Sequence, residues 1–297
     1  MKLDGIGAFV AVAEEGSVSA AARQLDVSKS VVSERLADLE RSLGAQLVQR
    51  TTRKLALTED GLAFLARARR ILVEADDARA ELAERRGELA GPMRISAPVS
   101  FGTLHLPRAL FPFLEAHPRI QLSLDLDDRL VDVMGEGYDA VIRHARIADA
   151  RVVVRKIAAS RRFLVASPGY LKAHGTPDSV ASLRGHSAII YTRRDADWRL
   201  RTPRGEVIVR PERCLRMNNG LMMRDAAVAG LGVALLPAFL LQHELATGAL
   251  RILDIGAATE SADVFVAYPS ARASAKVRAL VEWLRRGFGS PPYWDDP

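Results

Sequence analysis

The chain has 297 residues, 48% of them hydrophobic, a single cysteine and a net charge of +6. That length suits two domains with full cores. One cysteine excludes an internal disulfide framework and fits a reducing cytoplasm, and Asp4, Glu14 and Glu15 break up any signal-peptide pattern at the start.

Residues 17–58 carry the strongest local signal. Ser17 or Ser19 caps a short helix whose inward face is Ala21, Ala22 and Leu25. Asp26-Val27 makes a tight turn, and Ser28 opens a second helix. Its apolar stripe is Val31 or Val32, Leu36, Leu39 and Leu43. Ser28, Lys29, Ser30, Ser33 and Arg35 stand off that stripe, short donors and long cations suited to base edges and phosphates. In such motifs the N-terminal residues of the second helix enter the major groove. Gly44 ends the helix. Arg50, Thr51, Arg53 and Lys54 then lead into the alternating Leu55-Ala56-Leu57. A short hairpin wing there would lay cations along a phosphate backbone or into a minor groove. Double-stranded DNA is the partner these residues predict.

The run AAARQLDVSKSVVSERLADLERSLGAQLVQRTTRKLALTEDG resembles the DNA-binding domain of LysR-type transcriptional regulators. The likeness rests on Ala21-Ala22…Leu25, Val27-Ser28-x-Ser30-x-x-Ser33, Leu39-Glu40…Leu43-Gly44 and Arg50-Thr51…Leu57-Thr58…Gly61. Three positions depart from the family. Lys29 stands where glutamine is usual, Glu34 where a basic residue is frequent, and Val48 where phenylalanine is usual. The first two lie on or beside the reading surface, so the family's base preferences do not transfer.

From Thr58, a good cap with Glu59 and Asp60 in the first turn, a helix is predicted to about Gly87. Leu62, Leu65, Leu72, Leu82 and Leu89 run down it, heptad-spaced except between Leu72 and Leu82. So polar a helix must bury its stripe, against its own domain or against a second copy. The copy is the preferred reading, because two-fold operators are read by symmetry-related heads; a homodimer or homotetramer is expected. Gly91-Pro92 marks the boundary.

Beyond it, strands and helices alternate. Met93–Ala97 reads as a strand, Ser100–His117 as a helix, Ile120–Leu126 as a strand, Arg129–Gly135 as a helix and Asp139–Arg143 as a strand, a βαβαβ series implying a parallel sheet. A second unit begins at Arg162–Ala166, with a helix from Ser167-Pro168. It continues through strands near 188–191 and 206–209, a strand Arg213–Met217, a helix 220–229 and a strand Gly232–Pro237. Asp263–Tyr268 reads as another strand. Ala275–Gly287 reads as a last helix with Val277, Leu280, Val281 and Leu284 inward. Residues 226–243 are uncharged over spanning length, but Gly230, Gly232 and Pro237 favour a buried strand with helix ends over a membrane span.

Gly137-Tyr138-Asp139-Ala140-Val141-Ile142-Arg143, Met217-Asn218-Asn219-Gly220, Ala229–Pro237 and Lys276-Val277-Arg278 extend the resemblance over nearly the whole chain. It implies an N-terminal all-α winged helix-turn-helix, a linker helix, and an effector domain of two α/β lobes like those of periplasmic solute-binding proteins. Two crossing strands would join the lobes, the second near Val264–Tyr268, with a small-molecule effector in the cleft. The expected divisions are residues 1–58 for DNA binding, 59–91 for the linker and dimerisation helix, and 92–297 for effector binding. Within the last, lobe 1 takes about 92–161 and 267–297, and lobe 2 about 162–266.

Ligands of open parallel sheets sit beyond C-terminal strand ends, against helix N-termini. That rule nominates Ser100, Phe101, Thr103, Asp128, Arg143 and His144 from the first lobe, and Trp198, Asn218 and Asn219 from the second. Each has a plainer reading: Ser100 as a helix cap, Arg143 as the ion-pair partner of Asp127, Asp128 or Asp139, and Trp198 as packing. Residues 1–60 hold eight Lys/Arg against nine Asp/Glu, whereas 92–297 hold 28 against 21. The basic excess therefore lies in the effector domain, as solvated arginine surface or as a field for an anionic, carboxylate-bearing effector.

Six histidines show no metal-ligand spacing, and no GxSxG, Walker or dinucleotide-binding motif occurs, so no metal, cofactor or catalytic residue is expected. Cys214 lies in the Arg213–Met217 strand and reads as a small hydrophobe. A ligand-responsive transcriptional regulator in the cytoplasm fits best; a solute-binding protein or an α/β enzyme without a DNA role are the alternatives.

Overall fold

The computed structural model describes residues 1–50, 55–84, 89–144, 147, 149–192, 198–211, 213–270 and 274–295. The chain forms two compact units, one of Met1–Gly91 with Met134–Gly137, the other of Pro92–Val133 with Tyr138–Pro297.

The first unit holds α1 (Leu3–Glu15), α2 (Val18–Gln24), α3 (Lys29–Leu43), the hairpin of β1 (Val48–Arg50) and β2 (Leu55–Leu57), and α4 (Glu59–Glu84). Ser17 is the cap of α2, accepting the Ala20 amide at 3.1 Å. Asp26 takes the left-handed turn conformation at φ 51°, which a short polar side chain tolerates. Ile6, Phe9, Ala21, Val32, Leu36, Leu39 and Leu47 fill the core, and Phe64, Leu65, Ile71 and Leu72 of α4 pack against it. Leu65 and Leu72 thus spend much of their surface inside their own domain, while Leu62 is 63% exposed. The side chain of Leu82 and the predicted helix end at Gly87 lie outside the described residues. The helix α1 carries no motif from which it was predicted, yet it supplies Ile6, Ala8, Phe9, Val10, Ala11 and Val12 to this core.

The second unit begins with β3 (Gly91–Ala97), α5 (Val99–Leu104), α6 (Leu106–Ala116), β4 (Ile120–Leu126), β5 (Ala140–Arg143) and β6 (Val152–Ala158). It continues with β7 (Arg162–Ala166), α7 (Pro168–His174), β8 (Ser187–Tyr191), β9 (Trp198–Thr202), β10 (Gly205–Val209), β11 (Arg213–Met217) and α8 (Gly220–Val228). Then come β12 (Val233–Pro237), α9 (Gln242–Ala246), β13 (Arg251–Ile252), β14 (Ala258–Thr259), β15 (Val264–Pro269) and α10 (Ala275–Phe288). Two five-stranded sheets result, ordered β4-β3-β5-β15-β6 and β11-β8-β12-β7-β13, with a small antiparallel sheet β10-β9-β14. Among the described residues no helix is long and apolar enough to cross a membrane.

Four expectations change. The single helix over Ser100–His117 is two, broken at His105, because Pro107 lacks the N–H that would bond back to Thr103. Residues 129–135 form turns instead of a helix. The Asp127 carboxylate accepts the Arg129 amide at 2.9 Å and competes with helical bonding. Neither large sheet is wholly parallel, since β15 runs antiparallel to β5 and β6, and β7 antiparallel to β12 and β13. Finally, β15 belongs to the first sheet over its whole length, so the second crossing lies just before Val264. There the two crossing segments meet: the Ala262 amide donates to the Ser160 carbonyl at 2.7 Å, and the Ser160 amide to Asp263 Oδ1 at 3.2 Å.

Candidate functional site

The reading helix of the first unit is positioned by its ends. Ser28 Oγ accepts the Val31 amide at 3.4 Å and lies 2.7 Å from Ser30 Oγ. Lys29, Ser30 and Glu34 are exposed and Ser33 is half-buried. At about 100° per residue, Lys29, Ser30 and Ser33 share one side of α3, while Arg35 falls beyond the buried stripe of Val32, Leu36 and Leu39. Its guanidinium stands 3.5 Å from the Asp4 carboxylate on α1. Arg35 thus stands apart from Lys29, Ser30 and Ser33 around the helix.

The wing is tied to this helix by a residue that patterning missed. Glu40 Oε1 accepts the backbone amides of Leu47 at 2.7 Å and Val48 at 3.1 Å, which fixes the start of β1 on α3. The available signal was its place in the last helical turn, where a carboxylate opposes the helix dipole and so needs another reason to be there. Thr58 Oγ1 donates to the Gln46 carbonyl at 2.6 Å and accepts the Gly61 amide at 2.9 Å. A Cβ on Gly61 would lie 2.1 Å from the Leu47 carbonyl oxygen, so only glycine lets α4 pass the strand this closely. The hairpin pairs Arg50 with Leu55. The side chain of Arg50, and all of Thr51, Arg53 and Lys54, lie outside the described residues.

The second unit encloses a cavity of about 900 Å³. Ser100 at the start of α5, Asp128 after β4, Arg143 and His144 at the end of β5, and Trp198 opening β9 all border it. Arg143 is 8% exposed. It donates to the Ile142 carbonyl at 2.6 Å, Ser96 Oγ at 3.0 Å and the Arg129 carbonyl at 3.3 Å. Among the described residues its Nε is buried without a hydrogen-bond partner. Burial lowers its pKa from the ordinary value, and the charges of Asp127 and Asp128 pull the other way. His144 stacks on Phe239 with ring centroids 4.9 Å apart. Gly220 brings α8 against the first lobe, where a Cβ would lie 3.1 Å from Ser100 Oγ.

Four nominated residues do not border the cavity. Phe101 is fully buried in an aromatic cluster with His105, Phe239, Phe288 and Trp294. Thr103 is exposed in the last turn of the short α5. Asn218 is exposed, and Asn219 caps α8 by accepting the Met222 amide at 3.1 Å. Sequence reasoning missed the apolar wall of the second lobe, Ile189, Ile190, Met223, Leu235, Leu236 and Leu240. Periodicity cannot separate a cavity wall from a core, because both are apolar strand and helix faces. Cys214 is in β11, with its side chain outside the described residues. Among the described residues no cluster of three His, Cys, Asp or Glu could hold a metal.

Comparison with known proteins matches both units. Residues 3–62 fit the bacterial regulatory helix-turn-helix protein model of the lysR family, and residues 86–289 fit the LysR substrate binding domain model. The HTH-type transcriptional regulator PtxR of Pseudomonas aeruginosa is 34% identical, over 99% of this chain and 95% of its own length. The HTH-type transcriptional regulator DmlR of Escherichia coli is 33% identical, over 96% and 94%. The structure of CrgA, a LysR-type transcriptional regulator from Neisseria meningitidis, superposes with a TM-score of 0.58 at 29% identity, over 96% of this chain and 99% of that one.

Proposed function

The chain belongs to the LysR family of bacterial transcriptional regulators, and from that premise we propose how its two units divide the work. The family assigns it a helix-turn-helix that binds DNA, a two-lobed domain that binds a small-molecule effector, and no enzymatic role. On our reading Lys29, Ser30 and Ser33 approach base edges, with Ser28 capping the helix that carries them. Arg50, Thr51, Arg53 and Lys54 follow the phosphate backbone. The protein works in the cytoplasm as a homodimer or an assembly of dimers, so that two heads meet a two-fold operator. The effector binds in the 900 Å³ cavity with an anionic group toward Arg143 and Ser100.

One observation carries the placement of the effector: the guanidinium of Arg143, only 8% exposed, borders the cavity. A charge largely withdrawn from water is stabilised by an opposite charge placed beside it. The ligand acts only through its different affinity for the two arrangements of the lobes. The test is operator binding by fluorescence anisotropy with and without small carboxylates, on wild type and Ser100→Ala. An acid that changes operator affinity in wild type and needs about tenfold more to do so in the variant supports the reading; equal potency on both rejects it.

A further inference from the structure

The side of α3 that faces away from the core carries a carboxylate. At about 100° per residue, Ser30, Glu34, Ala37 and Arg41 fall along one line, opposite the buried Val32, Leu36 and Leu39, and all four are exposed. Arg41 donates to Asp38 Oδ1 at 3.0 Å. Glu34 has no ion-pair or hydrogen-bond partner among the described residues. Its neighbours one turn away on the helix are Ser30, Val31, Ala37 and Asp38, none of them a cation. Resting on the reading that Lys29 and Ser30 approach base edges, we propose that Glu34 is a specificity-determining residue, which accepts a hydrogen bond from the exocyclic amino group of one cytosine in each operator half-site.

Place is the first argument. Glu34 stands in the second turn of α3, beside Ser30 around the helix, and the N-terminal turns of such a helix are the part that enters the major groove. Ala37, the next residue along the line, is too small to hold a duplex away from it. Sign is the second argument. A polyanion repels an unpaired carboxylate whatever its sequence, so Glu34 costs affinity everywhere except where a donor meets it. An ionised carboxylate can only accept. Guanine shows it N7 and O6 and thymine shows it O4, all acceptors. Adenine sets its N6 amino group beside the N7 acceptor. Cytosine alone presents an amino group with no acceptor on its own major-groove edge. Ser30 and Ser33 can donate or accept, and Lys29 can only donate. Of these four residues Glu34 is therefore the one that rejects guanine and thymine.

The test uses the full-length protein and a pool of duplexes with a randomised centre, from which wild type, Glu34→Gln, Glu34→Ala and Ser30→Ala each select their bound sequences. Half-sites selected by wild type should hold cytosine at one position. Glu34→Gln should turn that position alone to adenine, because glutamine pairs bidentately with adenine N6 and N7, and Glu34→Ala should leave it without preference. In salt-matched anisotropy titrations on the selected site, replacing that C·G pair should weaken wild type at least about fivefold and Glu34→Ala by less than about twofold. A non-specific duplex should bind Glu34→Ala more tightly than wild type, since a repelled charge is gone. Unchanged preferences at every position in both Glu34 variants overturn the proposal, as does an equal gain in affinity for every sequence. A position that Glu34→Ala flattens but that holds another base in wild type overturns the assignment to cytosine. If Ser30→Ala still alters a preference when the Glu34 variants do not, the reading surface stands without Glu34; if none of the three variants alters any position, both fall.

Discussion

His105 Nε2 donates to the carbonyl oxygen of Phe239 at 2.9 Å, joining the break between α5 and α6 to the segment that follows β12 in the other lobe. A carbonyl can only accept, so Nε2 carries the proton. In the neutral ring Nδ1 is then an acceptor for the Tyr293 hydroxyl, 2.6 Å away. The segment after α10 extends the link. Trp294 Nε1 donates to the carbonyl of Ala159 in the first crossing segment at 3.2 Å, and Arg108 lies over the Tyr293 ring. One neutral imidazole therefore couples first lobe, second lobe and C-terminal tail.

That coupling is pH-dependent in a defined direction. Burial pushes the His105 pKa below the ordinary 6.5, outweighing the upward pull of the Phe239 carbonyl. The unfolded chain thus takes up a proton at a pH where the folded chain does not. The stability associated with His105 is full above about 6.5 and is lost as pH falls through the lower folded value. Thermal unfolding from pH 7.5 to 5 should show Tm falling in wild type and falling less in His105→Gln. Some slope should remain, because burial lowers His186 as well. Parallel profiles would remove His105 from this role.

Gly61→Ala should destabilise the N-terminal unit by about 1–3 kcal/mol through overpacking against the Leu47 carbonyl. The obstacle is backbone rather than a flexible side-chain end, so relaxation cannot absorb it cheaply. Chemical denaturation followed through the first unit reads this directly, and wild-type stability in the variant would mean that α4 can shift away from the strand.

The outcome of reading the chain differs by element for physical reasons. Strands such as Ile120–Leu126, Arg162–Ala166 and Arg213–Met217 were legible to the residue, because short β-rich runs there are bounded by turn-forming residues or caps. The helix expected over 129–135 was not real, since Asp127 offers the backbone a local alternative that apolar spacing cannot reveal. Strand β6 went unread because Val152-Val153-Val154 is followed by exposed Arg155 and Lys156, which hide its strand character. Of the residues that border the cavity, Ser100, Asp128, Arg143 and His144 were nominated by a rule about strand ends. The apolar wall was invisible because nothing in Leu235-Leu236 marks a side chain that faces a cavity rather than a core.

The reading helix makes a contrast that separates its two sides. Lys29→Ala and Ser30→Ala should each weaken operator binding by about 1–3 kcal/mol. Arg35→Ala should cost far less, because its guanidinium already faces Asp4 across the buried stripe. Salt-matched anisotropy titrations decide the matter. A larger loss for Arg35→Ala than for either of the others would place DNA on the opposite side of α3.

Association can now be tested at the residue that remains available for it. Leu65 and Leu72 pack against the core of their own unit, so replacing them with lysine would disturb the fold of the head and confound any measure of assembly. Leu62 shares their helix and is 63% exposed. The helix α4 has 26 residues, about 39 Å at 1.5 Å per residue, and among the described residues those that pack on the core of its own unit run from Phe64 to Leu72. A second copy would cover what the core leaves open. Leu62→Lys should then shift the assembly toward monomers in sedimentation velocity and lower operator affinity, with Tm of the head near the wild-type value. An intact assembly would assign the contact to other surfaces, and a fallen Tm would assign Leu62 to the head itself.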